Sequence, residues 1–102
     1  MEKEKAIEKR IKEYLKTKND LFYWKEHGGM YTTAGIPDLI VCYKGRFIAL
    51  EVKTPIGKPT VLQNVAIRKI NEAGGIAAIV RSVEDAKVVI ESVEGGTNES
   101  SK

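Results

Sequence analysis

Asp38, Glu51 and Lys53 are the residues whose types and spacing suggest chemistry. Asp38 opens the apolar run DLIVCY, residues 38–43, while Glu51 and Lys53 lie in RFIALEVK, residues 46–53. Lys44-Gly45 between the runs is a two-residue linker with a glycine available for positive φ, so the pair reads as a β-hairpin. If Tyr43 pairs with Arg46, Asp38 faces Glu51. Facing residues on antiparallel neighbours point to the same side, with Cβ atoms about 4.5–5.5 Å apart. Alternation along the second strand puts Phe47, Ala49, Glu51 and Lys53 on one face and Ile48, Leu50 and Val52 on the other. Three charged groups therefore converge at one end of strands that otherwise read as core. Buried and unpaired, none of them is tolerable. Two carboxylates that close repel unless a positive charge lies between them. A hard divalent cation such as Mg2+, which prefers oxygen ligands and keeps several waters, is one solution. Lys53 is the other. A purely structural Asp–Lys or Glu–Lys pair is the alternative these residues leave open, because ion-pair networks also mimic active sites.

The elements that must position these groups are legible from periodicity. Residues 2–18 read as an amphipathic helix with Ile7, Ile11, Tyr14 and Leu15 on one stripe, stopped at Asn19-Asp20. Residues 21–25 (LFYWK) have high strand propensity, and a glycine-rich loop reaching Gly35 follows. That loop is long for a compact domain, and long ordered loops in small domains are often functional. After the hairpin and a second loop, Thr60 caps a helix to about Ala73, with Leu62, Ala66, Ile70 and Ala73 at helical spacing and Gly74-Gly75 ending it. Residues 76–81 form a buried strand, and Ser82 caps a last helix from Val83 to about Ser92. Residues 95–102 read as a flexible polar tail, leaving 1–94 as one domain. The first three strands should form an antiparallel meander, with the fourth parallel to the third through a crossover.

Composition narrows the chemistry further. The chain has 102 residues, with 17 Lys+Arg against 14 Asp+Glu, so its net charge of +3 suits a polyanionic partner without demanding one. One cysteine excludes an internal disulfide, and one histidine leaves too few ligands for a structural zinc site. Neither a nucleophile elbow nor a phosphate-binding P-loop is present. There is no apolar run near the roughly 20 residues that span a bilayer, and the start lacks a signal-peptide core. A cytoplasmic protein without membrane contact is expected.

Gly35-Ile36-Pro37-Asp38, followed by Glu51-Val52-Lys53, resembles the PD-(D/E)xK nuclease signature. With Gln63 on the following helix and Glu8 within Ile7-Glu8-Lys9-Arg10-Ile11, the fuller set resembles the VRR-NUC (virus-type replication-repair nuclease) family. That family is similar to archaeal Holliday-junction resolvases, and the resemblance covers about Glu4 to Val93. It implies an α/β, restriction-endonuclease-like αβββαβ core with a mixed central sheet flanked by helices. It implies Mg2+, with Mn2+ able to substitute, held by Asp38, Glu51 and the Val52 carbonyl oxygen. Lys53 would orient or help deprotonate the attacking water, and products would carry 5′-phosphate and 3′-hydroxyl ends. It also implies a homodimer acting on branched DNA such as four-way junctions, in a bacterial or phage-infected cell. On such DNA the loop from Gly28 to Gly35 is expected to close over the bound strand.

Other assignments compete with simpler roles. Glu8 flanks the apolar stripe and would reach the metal, but Glu4 is a rival, and either could be a solvated i,i+4 charge. Gln63 would position Lys53 or a phosphate, yet Thr60-x-x-Gln63 also fits a capping box. Lys25 and His27, beside the glycine loop, and Lys58, Arg68 and Lys69 are candidates for phosphate contacts, against ordinary surface roles. Tyr23 and Trp24 could stack on bases but suit a core better, and Cys42 reads as an inert buried thiol. The reading is a divalent-metal-dependent DNA endonuclease. The alternatives are a flap or single-strand nuclease of a replication-repair complex and a non-catalytic nucleic-acid-binding module of the same fold.

Overall fold

The computed structural model describes residues 3–27 and 34–100. Most of the glycine loop expected to close over DNA therefore lies outside the described residues. Helix α1 spans Glu4–Leu15, with Ile7, Ile11 and Leu15 fully buried. The Lys3 side chain makes no cap hydrogen bond at its start, so packing holds it. Burying each of those side chains is worth about 1.5–3 kcal/mol. Beyond α1 the chain reverses at Asp20, whose φ of 60° places the left-handed residue one position later than Asn19.

Strand β1 (Leu21–Lys25) leads through the loop to β2 (Leu39–Tyr43) and β3 (Arg46–Val52). Both strand pairs are antiparallel, with Tyr43 opposite Arg46 and Leu39 opposite Leu50, the register that the hairpin linker implies. Lys44 and Gly45 both have positive φ, 54° and 75°, as the tightest hairpin turns require. Helix α2 (Val61–Glu72) crosses over to β4 (Ile76–Val80), which runs parallel to β3, and helix α3 (Val83–Ser100) completes the fold. The sheet order is β1-β2-β3-β4.

Helices cover both faces, which is why β3 is apolar on each side. Ile48, Leu50 and Val52 join Ile7, Ile11 and Leu15 of α1 and Ile90 and Val93 of α3 in one core. Ala49 lies in a smaller cluster with Ile40, Ala77, Ile67 and Ile70 on the α2 side. That α2 layer shields only part of its face, and several expectations change as a result. Cys42 is exposed rather than buried, beside the exposed rings of Phe22, Trp24 and Phe47. In α2 the buried face centres on Ala66, Ile67 and Ile70, leaving Leu62 and Ala73 exposed. Asp38 stands just before β2 and Lys53 just after β3, although Glu26 N–H to Asp38 O and Lys53 N–H to Val80 O continue the ladders. Helix α1 is shorter than the 2–18 stretch. Helix α3 continues eight residues past Ser92, carrying residues 95–100 that read as tail. Once a helix is nucleated each further residue adds a hydrogen bond, so weak formers such as Gly95 can follow a well-packed start. Ser82 Oγ caps α3 at Asp85 N–H, while Asp85 reaches back to Arg81 N–H.

Candidate active site

The charged groups gather where β2 begins and β3 ends. Asp38 follows the buried Pro37, and its carboxylate turns toward β3 and accepts the Val52 N–H at Oδ2, 2.9 Å. Glu51 points away from the α1/α3 core toward α2 and is only 2% exposed. Its Oε2 accepts Gln63 Nε2 at 3.0 Å and lies 3.4 Å from Lys53 Nζ. Its Oε1 is buried with no hydrogen-bond partner among the described residues. An acceptor left so is worth about 1–3 kcal/mol of lost stability, more when charged, so a structural ion pair alone is a poor account of it. Burial first, and the adjacent Asp38 carboxylate second, push Glu51 up to about 7 against the opposing pull of Lys53.

Gln63 closes its helix cap and at the same time binds a site carboxylate. Its Oε1 accepts Thr60 N–H at 2.8 Å and its own N–H donates to Thr60 Oγ1 at 3.1 Å, closing the capping box. The cap fixes the side chain so that Nε2 meets Glu51, where the sequence pointed to Lys53 or a phosphate. Gly35 brings this turn of α2 against the Asp38 segment. A Cβ at Gly35 would lie 2.4 Å from Leu62 O, and its φ is 83°. The glycine of the Gly-x-Pro-Asp motif thus allows a backbone approach that no side chain would permit.

Glu8 is joined to this rim indirectly. Its Oε1 lies 2.7 Å from Lys25 Nζ and its Oε2 2.9 Å from Lys12 Nζ. Burial raises the Glu8 carboxyl, but the two ammonium groups outweigh it and hold it below the usual range. Lys25 Nζ also lies 3.8 Å from Asp38 Oδ1. Burial lowers Lys25, while Glu8 and Asp38 more than offset this and keep it raised. Glu4 is exposed and acts on Lys25 only at longer range, so Glu8 is the helix carboxylate that reaches the site. Among the described residues no three His, Cys, Asp or Glu side chains form a group able to hold a metal ion. The donors available are the paired carboxylates Asp38 and Glu51 plus backbone oxygen, a set that suits a hard, partly hydrated cation.

The remaining predicted residues lie outside this cluster. His27 is exposed at the edge of the described β1 loop, and Lys58 is exposed on the loop after Lys53. Arg68 and Lys69 are exposed on α2, Arg68 being 3.9 Å from Glu72. Sequence reasoning missed the bridging position of Lys25, which strand parity with Leu21 and Tyr23 could have placed toward α1. It also missed Arg81, whose guanidinium clasps Thr54 O at 2.6 Å and Gly57 O at 2.7 Å, holding the loop that follows Lys53. Beside Glu8 a groove of about 350 Å3 is lined by Lys5, Glu8, Lys9, Lys12, Glu13 and Lys16 of α1.

Two solved structures have a similar fold. A VRR_NUC domain protein superposes with a TM-score of 0.73 at 18% identity, covering 88% of this chain and 86% of its own. A VRR_NUC domain superposes with a TM-score of 0.71 at 24% identity, covering 86% and 94%. No family model matches the sequence, and neither does any curated protein. The mixed four-stranded sheet with flanking helices is the same fold as in these two structures.

Proposed function

We propose that this chain, which has the fold of VRR_NUC domains, is a divalent-metal-dependent endonuclease that hydrolyses phosphodiester bonds in branched DNA. The observation that carries this reading is the buried Glu51, one oxygen of which has no partner among the described residues, beside a second carboxylate and a lysine. Asp38, Glu51 and the Val52 carbonyl would hold Mg2+, or Mn2+ in its place, which when bound polarises the phosphate and lowers the pKa of adjacent water. The protein's own groups supply orientation. Gln63, fixed by its cap, holds Glu51 Oε2 and leaves Oε1 for the cation. Asp38 is steadied by the Val52 N–H. Lys53 orients the attacking water and sets positive charge against the phosphate, where a preorganised donor is most effective.

A homodimer suits a junction that presents two equivalent strands. The exposed Phe22, Trp24 and Phe47 on the uncovered half of the sheet are where we place the second copy. Light scattering should return twice the 11.3 kDa chain mass. The direct test incubates the protein and Mg2+ with a four-way junction, a 5′-flap and a linear duplex. Cleavage of the junction is expected, falling about a hundredfold or more in Glu51→Gln and Lys53→Met with binding retained. Preference for the flap would favour a replication-repair nuclease. Junction binding without cleavage in the wild type would leave only a binding module.

A further inference from the structure

The rim carboxylates are not equally supplied with positive charge. On one side of Asp38, Lys25 Nζ stands between Glu8 Oε1, at 2.7 Å, and Asp38 Oδ1, at 3.8 Å. On the other side Glu51 Oε1 is buried with no partner among the described residues. Lys12 takes the second oxygen of Glu8, so Glu8 has both oxygens engaged by ammonium groups. Lys25 is not a loose surface cation. It ends β1 opposite Leu39, with the parity that turns Leu21 and Tyr23 toward the α1/α3 core. Its head group is therefore directed at α1 and at the start of β2. A two-metal centre needs its ions about 3.5–4 Å apart, sharing a carboxylate between them. Here the carboxylate able to be shared is Asp38, and its Glu8 side is occupied.

We propose that Lys25 is a built-in second cation: its ammonium fills the position between Glu8 and Asp38 that a second divalent ion would need, so the centre takes one ion. This rests on the metal-dependent reading above. It makes Glu8 the group that positions Lys25 rather than a metal ligand. It also makes the charge of Lys25, not a phosphate contact, the feature that matters before DNA arrives.

The test counts Mn2+ on the full chain without DNA, at pH 8, by calorimetry and by electron paramagnetic resonance. Wild type should bind one ion per chain, and so should Lys25→Arg, which keeps the charge. Lys25→Met should bind two, with the spectral signature of a coupled Mn2+ pair. Adding Glu8→Gln to Lys25→Met should restore one. Two ions in wild type, or one in a Lys25→Met protein with a native circular dichroism spectrum, would overturn the proposal. If Lys25→Met does not fold, Lys25→Gln takes its place with the same expected count. Wild type binding no Mn2+ at all would overturn the metal-centre reading itself, a failure distinct from an incorrect count.

Discussion

Glu51 is held ionisable but uncomfortable by the fold around it, and that discomfort is measurable. Its folded value of about 7 stands above the ordinary 4.5 because burial and Asp38 disfavour the charge more than Lys53 favours it. Between those pH values the folded chain keeps a proton that the unfolded chain has released. Without divalent ions, stability should thus fall as pH rises through this window and level off above about 7. Glu51→Gln removes the ionisation while Gln63 Nε2 keeps an amide oxygen to bond. Chemical denaturation at pH 8 should find this variant more stable than wild type by about 1–3 kcal/mol, with the difference vanishing near pH 4.5. A variant less stable at pH 8 would mean that Glu51 is well compensated by its neighbours alone. In wild type, Mg2+ should recover the lost stability, since an ion that binds only the folded state stabilises it.

Among the elements, the contact that aligns the two halves of the site is the approach of Gly35 to the first turn of α2. Asp38 follows Gly35 by three residues, and Gln63 belongs to the turn that Gly35 touches. Gly35→Ala would meet Leu62 O at 2.4 Å from a backbone with φ of 83°, so either the loop or the helix must shift. Thermal unfolding should show a loss of about 2 kcal/mol or more, roughly 10 °C in a domain of this size. Mn2+ affinity should fall with it, because a shift of either element parts Asp38 from the Gln63-held Glu51. Unchanged stability and Mn2+ affinity would show that this approach is not what sets the geometry. Arg81 acts on the other side of Lys53, where its bonds to the 54–57 carbonyls keep the exit from β3 in one conformation.

Across the whole molecule, strand content and register were legible because their signals are local. The Lys44-Gly45 turn sets the pairing of β2 with β3, and alternation then carries Glu51 to the α2 side. The Thr60-Gln63 capping box was legible for the same reason. The lateral placement of helices over the sheet was not, because periodicity says which face of an element is apolar but not how far its partner extends. Cys42 and Leu62 are exposed for that reason, each read as buried from its own element. Lys25 and Glu8 meet only through tertiary packing, seventeen residues apart on different elements, so neither position announced the pair. The convergence of Asp38 and Glu51, by contrast, needs only the hairpin, and the rest of the account depends on it. Crystals grown with Mn2+ and measured at the manganese absorption edge test it most directly. The account predicts one anomalous peak in coordination range, about 2–2.5 Å, of both an Asp38 oxygen and Glu51 Oε1. No peak between those two carboxylates, or a peak bound only elsewhere on the chain, would contradict it.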